Sequence, residues 1–136
     1  MITCPNCAHL NLGDVVQCSL CKSPLPAQQA YLLHVRTGVT IDLPLSVSII
    51  HIGKPNDRVP PDIDISGFPH SEVVSRVHAN ILVQEYVYYI EDAGSANGTY
   101  VNNLPVALGS RHSLQAGDRI ALGKADKVSF LFQLRP

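Results

Sequence analysis

The sequence predicts an all-β fold, a two-sheet β-sandwich preceded by a small cysteine-bearing module. Three observations lead there. Short runs rich in Val, Ile, Leu and Tyr recur from Tyr31 onward, separated by Gly, Pro, Asn and Asp turns. No segment sustains an apolar period of 3.6 residues, so amphipathic helices are not expected. The four cysteines fall into two Cys-x-x-Cys pairs ahead of the strand-like runs.

A chain of 136 residues accommodates one ordinary domain and a small appendage. With 46% apolar and 15% charged residues it is too apolar for a disordered chain. The net charge is −1, and Lys and Arg stand singly among Asp and Glu. No basic stripe is available for a nucleic-acid backbone. Cys4, Asn6, Cys7 and His9 interrupt any signal-peptide apolar run, and no apolar stretch reaches the ~20 residues needed to cross a bilayer. A soluble cytoplasmic protein without membrane or nucleic-acid partners is expected, and its oligomeric state is not readable.

Residues 1–25 form the first module. Cys4-Pro5-Asn6-Cys7 and Cys18-Ser19-Leu20-Cys21 suit a tetrahedral Cys4 zinc site, each pair on a tight turn whose backbone N–H groups face thiolate sulfur. The pattern resembles a small bacterial zinc ribbon. Two disulfides are the alternative, although paired Cys-x-x-Cys motifs without a secretory signal favour metal. His9 is a possible substitute ligand beside a shell that four thiolates already complete. Structural Zn2+ would supply most of the folding free energy of so short a segment. Residues 26–30, following Pro24, read as a linker.

The second module, residues 31–136, opens with strands at Tyr31–Arg36, Val39–Leu43 and Val47–Ile52. Val77–Gln84 and Tyr86–Glu91 flank a tight connection, and Thr99–Val101, Arg119–Leu122 and Val128–Leu134 complete the set. Between Gly53 and Ser75 the pattern breaks. Pro55, Pro60 and Pro61 lack ladder donors, while Asp62-Ile63-Asp64-Ile65 alternates as a short edge strand would. A long irregular loop in a compact domain is usually functional.

Three pieces around that loop suit phosphate recognition. Gly53-Lys54 follows a strand, Ser75-Arg76-Val77-His78 enters the next, and Asp92-Ala93-Gly94-Ser95-Ala96-Asn97-Gly98-Thr99 closes a turn. Cations, a hydroxyl and turn N–H groups are the donors a phosphate needs. Read singly, Lys54 is equally a solvated turn lysine, and Asn97-Gly98 equally a hairpin closure.

Together, from Tyr31 to the C-terminus, these pieces resemble the forkhead-associated (FHA) domain, a phosphothreonine-peptide reader. That resemblance implies an FHA-like β-sandwich in which Lys54, Ser75 and Arg76 hold phosphate and Asn97 holds the peptide backbone. It also implies that Gly53, His78 and Asn102 brace the loops. Lys54 stands where the family usually carries Arg, Ala96 where it often carries Thr, and Asn103 where it often carries Gly. A lysine point charge grips phosphate with fewer fixed bonds than a guanidinium fork.

The function expected is a phosphothreonine-binding adaptor in signalling by Ser/Thr phosphorylation, with a Thr-phosphorylated protein or peptide as partner. The alternative is a phosphate-independent interaction scaffold, which Lys54 and Ala96 would mark. Catalysis is not expected. No Gly-x-Ser-x-Gly elbow is present, and neither Gly53-Lys54 nor Gly123-Lys124 belongs to a P-loop. Asn97-Gly98-Thr99 matches a glycosylation acceptor, a reading that fits poorly with a metal ribbon and no leader.

Overall fold

The computed structural model describes residues 2–4, 6–11, 17–22, 29–44, 47–84 and 87–135. In the N-terminal module, β1 (Ile2–Thr3) and β2 (Leu10–Asn11) pair antiparallel as a hairpin. The segment expected as linker falls largely outside the described residues. The next strand, β3, begins at Gln29.

The remaining strands are β3 (Gln29–His34), β4 (Thr40–Asp42), β5 (Ile49–Gly53), β6 (Ile63–Asp64), β7 (Val77–Gln84) and β8 (Val87–Asp92). They continue with β9 (Thr99–Val101), β10 (Leu104–Pro105), β11 (His112–Ser113), β12 (Arg119–Leu122) and β13 (Ser129–Arg135). They assemble into a six-stranded sheet in the order β10-β9-β12-β13-β3-β4 and a five-stranded sheet in the order β11-β8-β7-β5-β6. The all-β two-sheet expectation is met. Asp62 to Ile65 does contain an edge strand, β6, which pairs parallel with β5 while its neighbours run antiparallel. Tyr86, assigned to a strand from the sequence, lies outside the described residues.

Alternation places one face of each sheet inward. Leu32, Ile120, Leu122, Phe130 and Phe132 from the first sheet meet Ile50, Ile52, Ile81, Tyr88 and Ile90 from the second, all buried. Tyr88 and Phe132 join the layers with ring centroids 5.3 Å apart. Each such side chain contributes about 1.5–3 kcal/mol on burial.

Gly53 ends β5 for a reason other than the backbone turn its sequence context suggests. A Cβ placed there would lie 1.9 Å from the Arg76 carbonyl oxygen. The register between β5 and β7 shifts between Ile52 and Gly53, and Lys54 N–H then donates to Arg76 O at 2.9 Å. The glycine permits β7 to enter close against the end of β5. Lys54 and Arg76 are thereby set side by side.

Candidate functional site

The site is built where the end of β5, the one-turn 3-10 helix Ser71–Val73, the start of β7 and the β8–β9 turn converge. His78 is fully buried and joins two of these segments. Its Nδ1 accepts the Ser75 N–H at 2.9 Å, and its Nε2 lies 2.8 Å from the Gly98 carbonyl. Because Nδ1 accepts, Nε2 carries the proton and donates, which fixes a neutral tautomer. Burial lowers the His78 pKa below the ordinary histidine value and Lys54 lowers it further, against the opposing pull of the Gly98 bond and Asp92.

Ser75 Oγ accepts the Ala96 N–H at 2.9 Å, tying the two loops a second time. Among the described residues its own hydroxyl hydrogen has no acceptor. Asn97 Nδ2 donates to Val73 O at 3.0 Å, and Lys54 Nζ donates to Ser71 O at 3.1 Å. Both side chains therefore anchor the helical turn while keeping further donors. Arg76 is exposed at the rim. The structure brings Lys54, Ser75, Arg76 and Asn97 to one end of the sandwich, with His78 beneath them.

Asn102 belongs to a neighbouring turn. With Asn103 it turns the β9–β10 hairpin in the left-handed region, at φ 51° and 69°. Its side chain accepts the Arg119 N–H and donates to Asp118, both at 3.0 Å. It braces the 115–118 turn and, among the described residues, makes no hydrogen bond to Ser75, Lys54 or Asn97. Gly98 lies in the left-handed region at φ 89°, a conformation that favours glycine, and a Cβ there would come within 3.1 Å of the Tyr100 hydroxyl.

Two residues that organise the site carry no role in the sequence reading. Asp92 accepts the Gly94 and Ser95 N–H groups and the Ser95 and Thr99 hydroxyls. Burial alone would raise its pKa, but these four donors outweigh burial and hold it below the ordinary carboxylate value. Asn56 does similar work in the loop after β5. The signal for both was Asx-turn chemistry, an Asn or Asp followed by residues whose N–H groups fold back on it.

In the N-terminal module the sulfurs of Cys4, Cys7, Cys18 and Cys21 all lie within 4.8 Å of one another. Cys4 and Cys21 are 3.6 Å apart, as are Cys7 and Cys18. These separations are too long for S–S bonds of ~2.05 Å. They match the ~3.8 Å edge of a tetrahedron with Zn–S bonds near 2.3 Å. The Cys21 backbone N–H lowers the Cys18 pKa. The His9 backbone lowers that of Cys7, yet burial and the three neighbouring sulfurs push it up to about 12. Thiols this crowded ionise together only around a cation, so the donor set fits a metal ion. His9 is turned to Ser19 Oγ, 3.1 Å away.

Comparison with known proteins places these features in a family context. A sequence profile of the FHA domain matches residues 50–123, more than half of the chain, a span that includes Gly53, Lys54, Ser75, Arg76, His78, Asn97 and Asn102. Protein FraH of Nostoc sp. is 61% identical over 105 residues, which is 77% of this chain and 36% of FraH. Further relatives are likewise covered only in part, at 42% and 41% of their lengths. Among solved structures, Mycobacterium tuberculosis EmbR in complex with a low-affinity phosphopeptide superposes with a TM-score of 0.64 at 30% identity, covering 79% of this chain and 24% of that one. The FHA domain of an Arabidopsis thaliana hypothetical protein gives 0.69 at 26% identity, covering 84% and 92%. Among the described residues, no helix is long and apolar enough to cross a membrane.

Proposed function

Because the chain belongs to the FHA domain family, we propose that it is a phosphothreonine-peptide-binding module that recruits a Thr-phosphorylated partner in signalling by Ser/Thr phosphorylation. The observation that carries this reading is the Ser75 hydroxyl. Its oxygen accepts the Ala96 N–H at 2.9 Å, and among the described residues no acceptor takes its hydrogen, which leaves that donor for a ligand. Lys54 and Arg76 supply charge on either side, and phosphate oxygens accept charge-assisted bonds from all three. Asn97 uses one amide hydrogen on Val73 O and keeps its carbonyl and second hydrogen for the peptide backbone. His78, Gly53 and Asn102 act through the loops as positioning residues.

The role proposed is recognition rather than catalysis, since backbone groups take both His78 ring nitrogens and leave Ser75 without a base. The four cysteines hold a structural Zn2+, which supplies folding free energy to a module too small to fold on apolar burial. A cytoplasmic setting suits a thiolate site and a kinase-dependent partner.

Calorimetric titration with a phosphothreonine peptide pool, beside the same pool dephosphorylated, tests the reading. Binding of the phosphorylated pool alone is expected. Ser75→Ala should weaken it about tenfold or more, through loss of a hydrogen bond to a charged group and of the tie to the Ala96 N–H, with the fold retained. Equal binding of both pools would replace the reading with a phosphate-independent scaffold.

A further inference from the structure

The turn that joins β12 to β13 belongs to the six-stranded sheet, yet it reaches the loops that carry Ser75 and Asn97. Leu122 pairs with Thr99 at the end of the β9–β12 ladder, and the next N–H, that of Gly123, donates to the Gly98 carbonyl at 2.8 Å. The same carbonyl faces His78 Nε2 at 2.8 Å, so its two lone pairs serve one donor from each sheet. Gly123 also lies against the one-turn helix. A Cβ at this position would come within 3.0 Å of the Val73 carbonyl oxygen and 3.1 Å of Val73 Cγ2. That carbonyl is the one that accepts Asn97 Nδ2. Gly123 thus sits against both carbonyls on which His78 and Asn97 fasten the site.

Behind Gly123 the turn is tied down. Leu122 and Val128 are buried, and the Leu122 N–H donates to the Val128 carbonyl at 2.9 Å. Arg119 forks onto the Asp126 carboxylate and reaches Ser129 Oγ at 3.2 Å, while Arg36 Nε donates to the Lys127 carbonyl at 2.9 Å. Within these ties Ala125 and Asp126 adopt the left-handed conformation, at φ 63° and 53°. Val73, by contrast, is half-buried on a helix of three residues. Val73 is the side that yields when the gap is narrowed.

We infer that Gly123 is a positioning residue of the phosphothreonine site: by keeping the space beside Val73 clear and the Gly98 carbonyl in place, it sets where Asn97 and the Ser75 loop stand. The inference rests on the phosphothreonine reading. A methyl group at residue 123 has to push the Val73 carbonyl away, and Asn97 moves with its acceptor. The Gly98 carbonyl transmits a second displacement through His78, whose other nitrogen holds the Ser75 N–H at 2.9 Å. At φ 91° the backbone of Gly123 is also one that a side chain disfavours, so the same substitution loosens the turn itself.

The test is a double-mutant cycle by calorimetric titration of the full chain with the phosphothreonine peptide pool, using the unsubstituted chain, Gly123→Ala, Asn97→Ala and both together. Gly123→Ala should weaken binding about fivefold or more, and Asn97→Ala should cost about tenfold alone but less than about threefold once Gly123→Ala is present. Thermal melts establish which variants are folded. Additive losses, or unchanged affinity in a folded Gly123→Ala chain, overturn the positioning role alone. Amide exchange on the unsubstituted chain gives a reading that needs no variant. If opening the Gly123–Gly98 bond disables the site, saturation with the pool slows exchange at the Gly123 N–H about fivefold or more by linkage. The Gly38 N–H of the β3–β4 turn, bonded to the His34 carbonyl at 2.8 Å, should keep its rate. Exchange at Gly123 that ignores the pool, or slows no more than at Gly38, overturns the inference. Absence of any binding by the unsubstituted chain overturns the phosphothreonine reading and the positioning role with it.

Discussion

Protonating His78 would break the site from beneath. A proton on Nδ1 cannot coexist with the Ser75 N–H that Nδ1 accepts, and burial already holds the pKa below the ordinary value of 6.5. His34 is lowered as well, by burial and by Arg36. Its ring is fully buried against Phe68 and Phe130. In the unfolded chain both imidazoles titrate near ~6.5. Below that pH the unfolded state takes up protons that the folded state refuses, so stability falls as pH drops. The slope approaches at most ~2.7 kcal/mol per pH unit for two protons. Thermal melts between pH 7.5 and 5.5 should show a falling midpoint, and His78→Gln should reduce the slope. A flat midpoint would mean that neither imidazole resists protonation in the fold. Asp92 adds a later acid loss of the same sign. Its folded pKa is depressed, so its contribution persists above the unfolded carboxylate pKa and disappears as pH falls through the folded one.

Gly53 shows why elements rather than single residues decide the site's shape. Any side chain at this position meets the Arg76 carbonyl at 1.9 Å, and backbone must move to admit it. Gly53→Ala should therefore destabilise the sandwich by about 3 kcal/mol, near the upper range for overpacking. The thermal midpoint should fall by more than 10 °C, and phosphopeptide affinity should fall with it, because Lys54 and Arg76 would separate. An unchanged midpoint would show that β7 shifts without cost. The glycine itself was legible in the sequence, but its reason was not, since the close approach exists only once β5 and β7 are paired. The strands were legible because alternation is local, as in Val77–Gln84. The two-residue strands Leu104–Pro105 and His112–Ser113 are too short to show a period, and Pro105 argues against a strand anywhere but an edge. Ser75, His78 and Asn97 stood out through motif spacing. Asn56 and Asp92 did not, Asn56 because its Arg76 partner comes from a separate loop, and Asp92 because a single Asp opening a turn does not show by itself that four donors fold back on it.

At the scale of the whole molecule the two modules draw on different sources of stability. The sandwich buries a continuous core from both sheets, whereas the buried cluster of the N-terminal module consists of the cysteines themselves. The hairpin of β1 and β2 has two residues per strand, far below what holds a hairpin in water. The zinc proposed for the four cysteines would then provide nearly all of its folding free energy, a quantity on the order of 10 kcal/mol for structural zinc sites at neutral pH. Removing zinc with a chelator, or replacing one ligand by Cys18→Ser, should unfold residues 2–22 while leaving the sandwich's melting transition and its phosphopeptide affinity in place. Elemental analysis of the purified chain should find one zinc per molecule, and amide exchange should lose protection only in the N-terminal module. Loss of the sandwich transition together with the metal would show that the modules fold as one unit, with the ribbon supporting the reader instead of standing beside it.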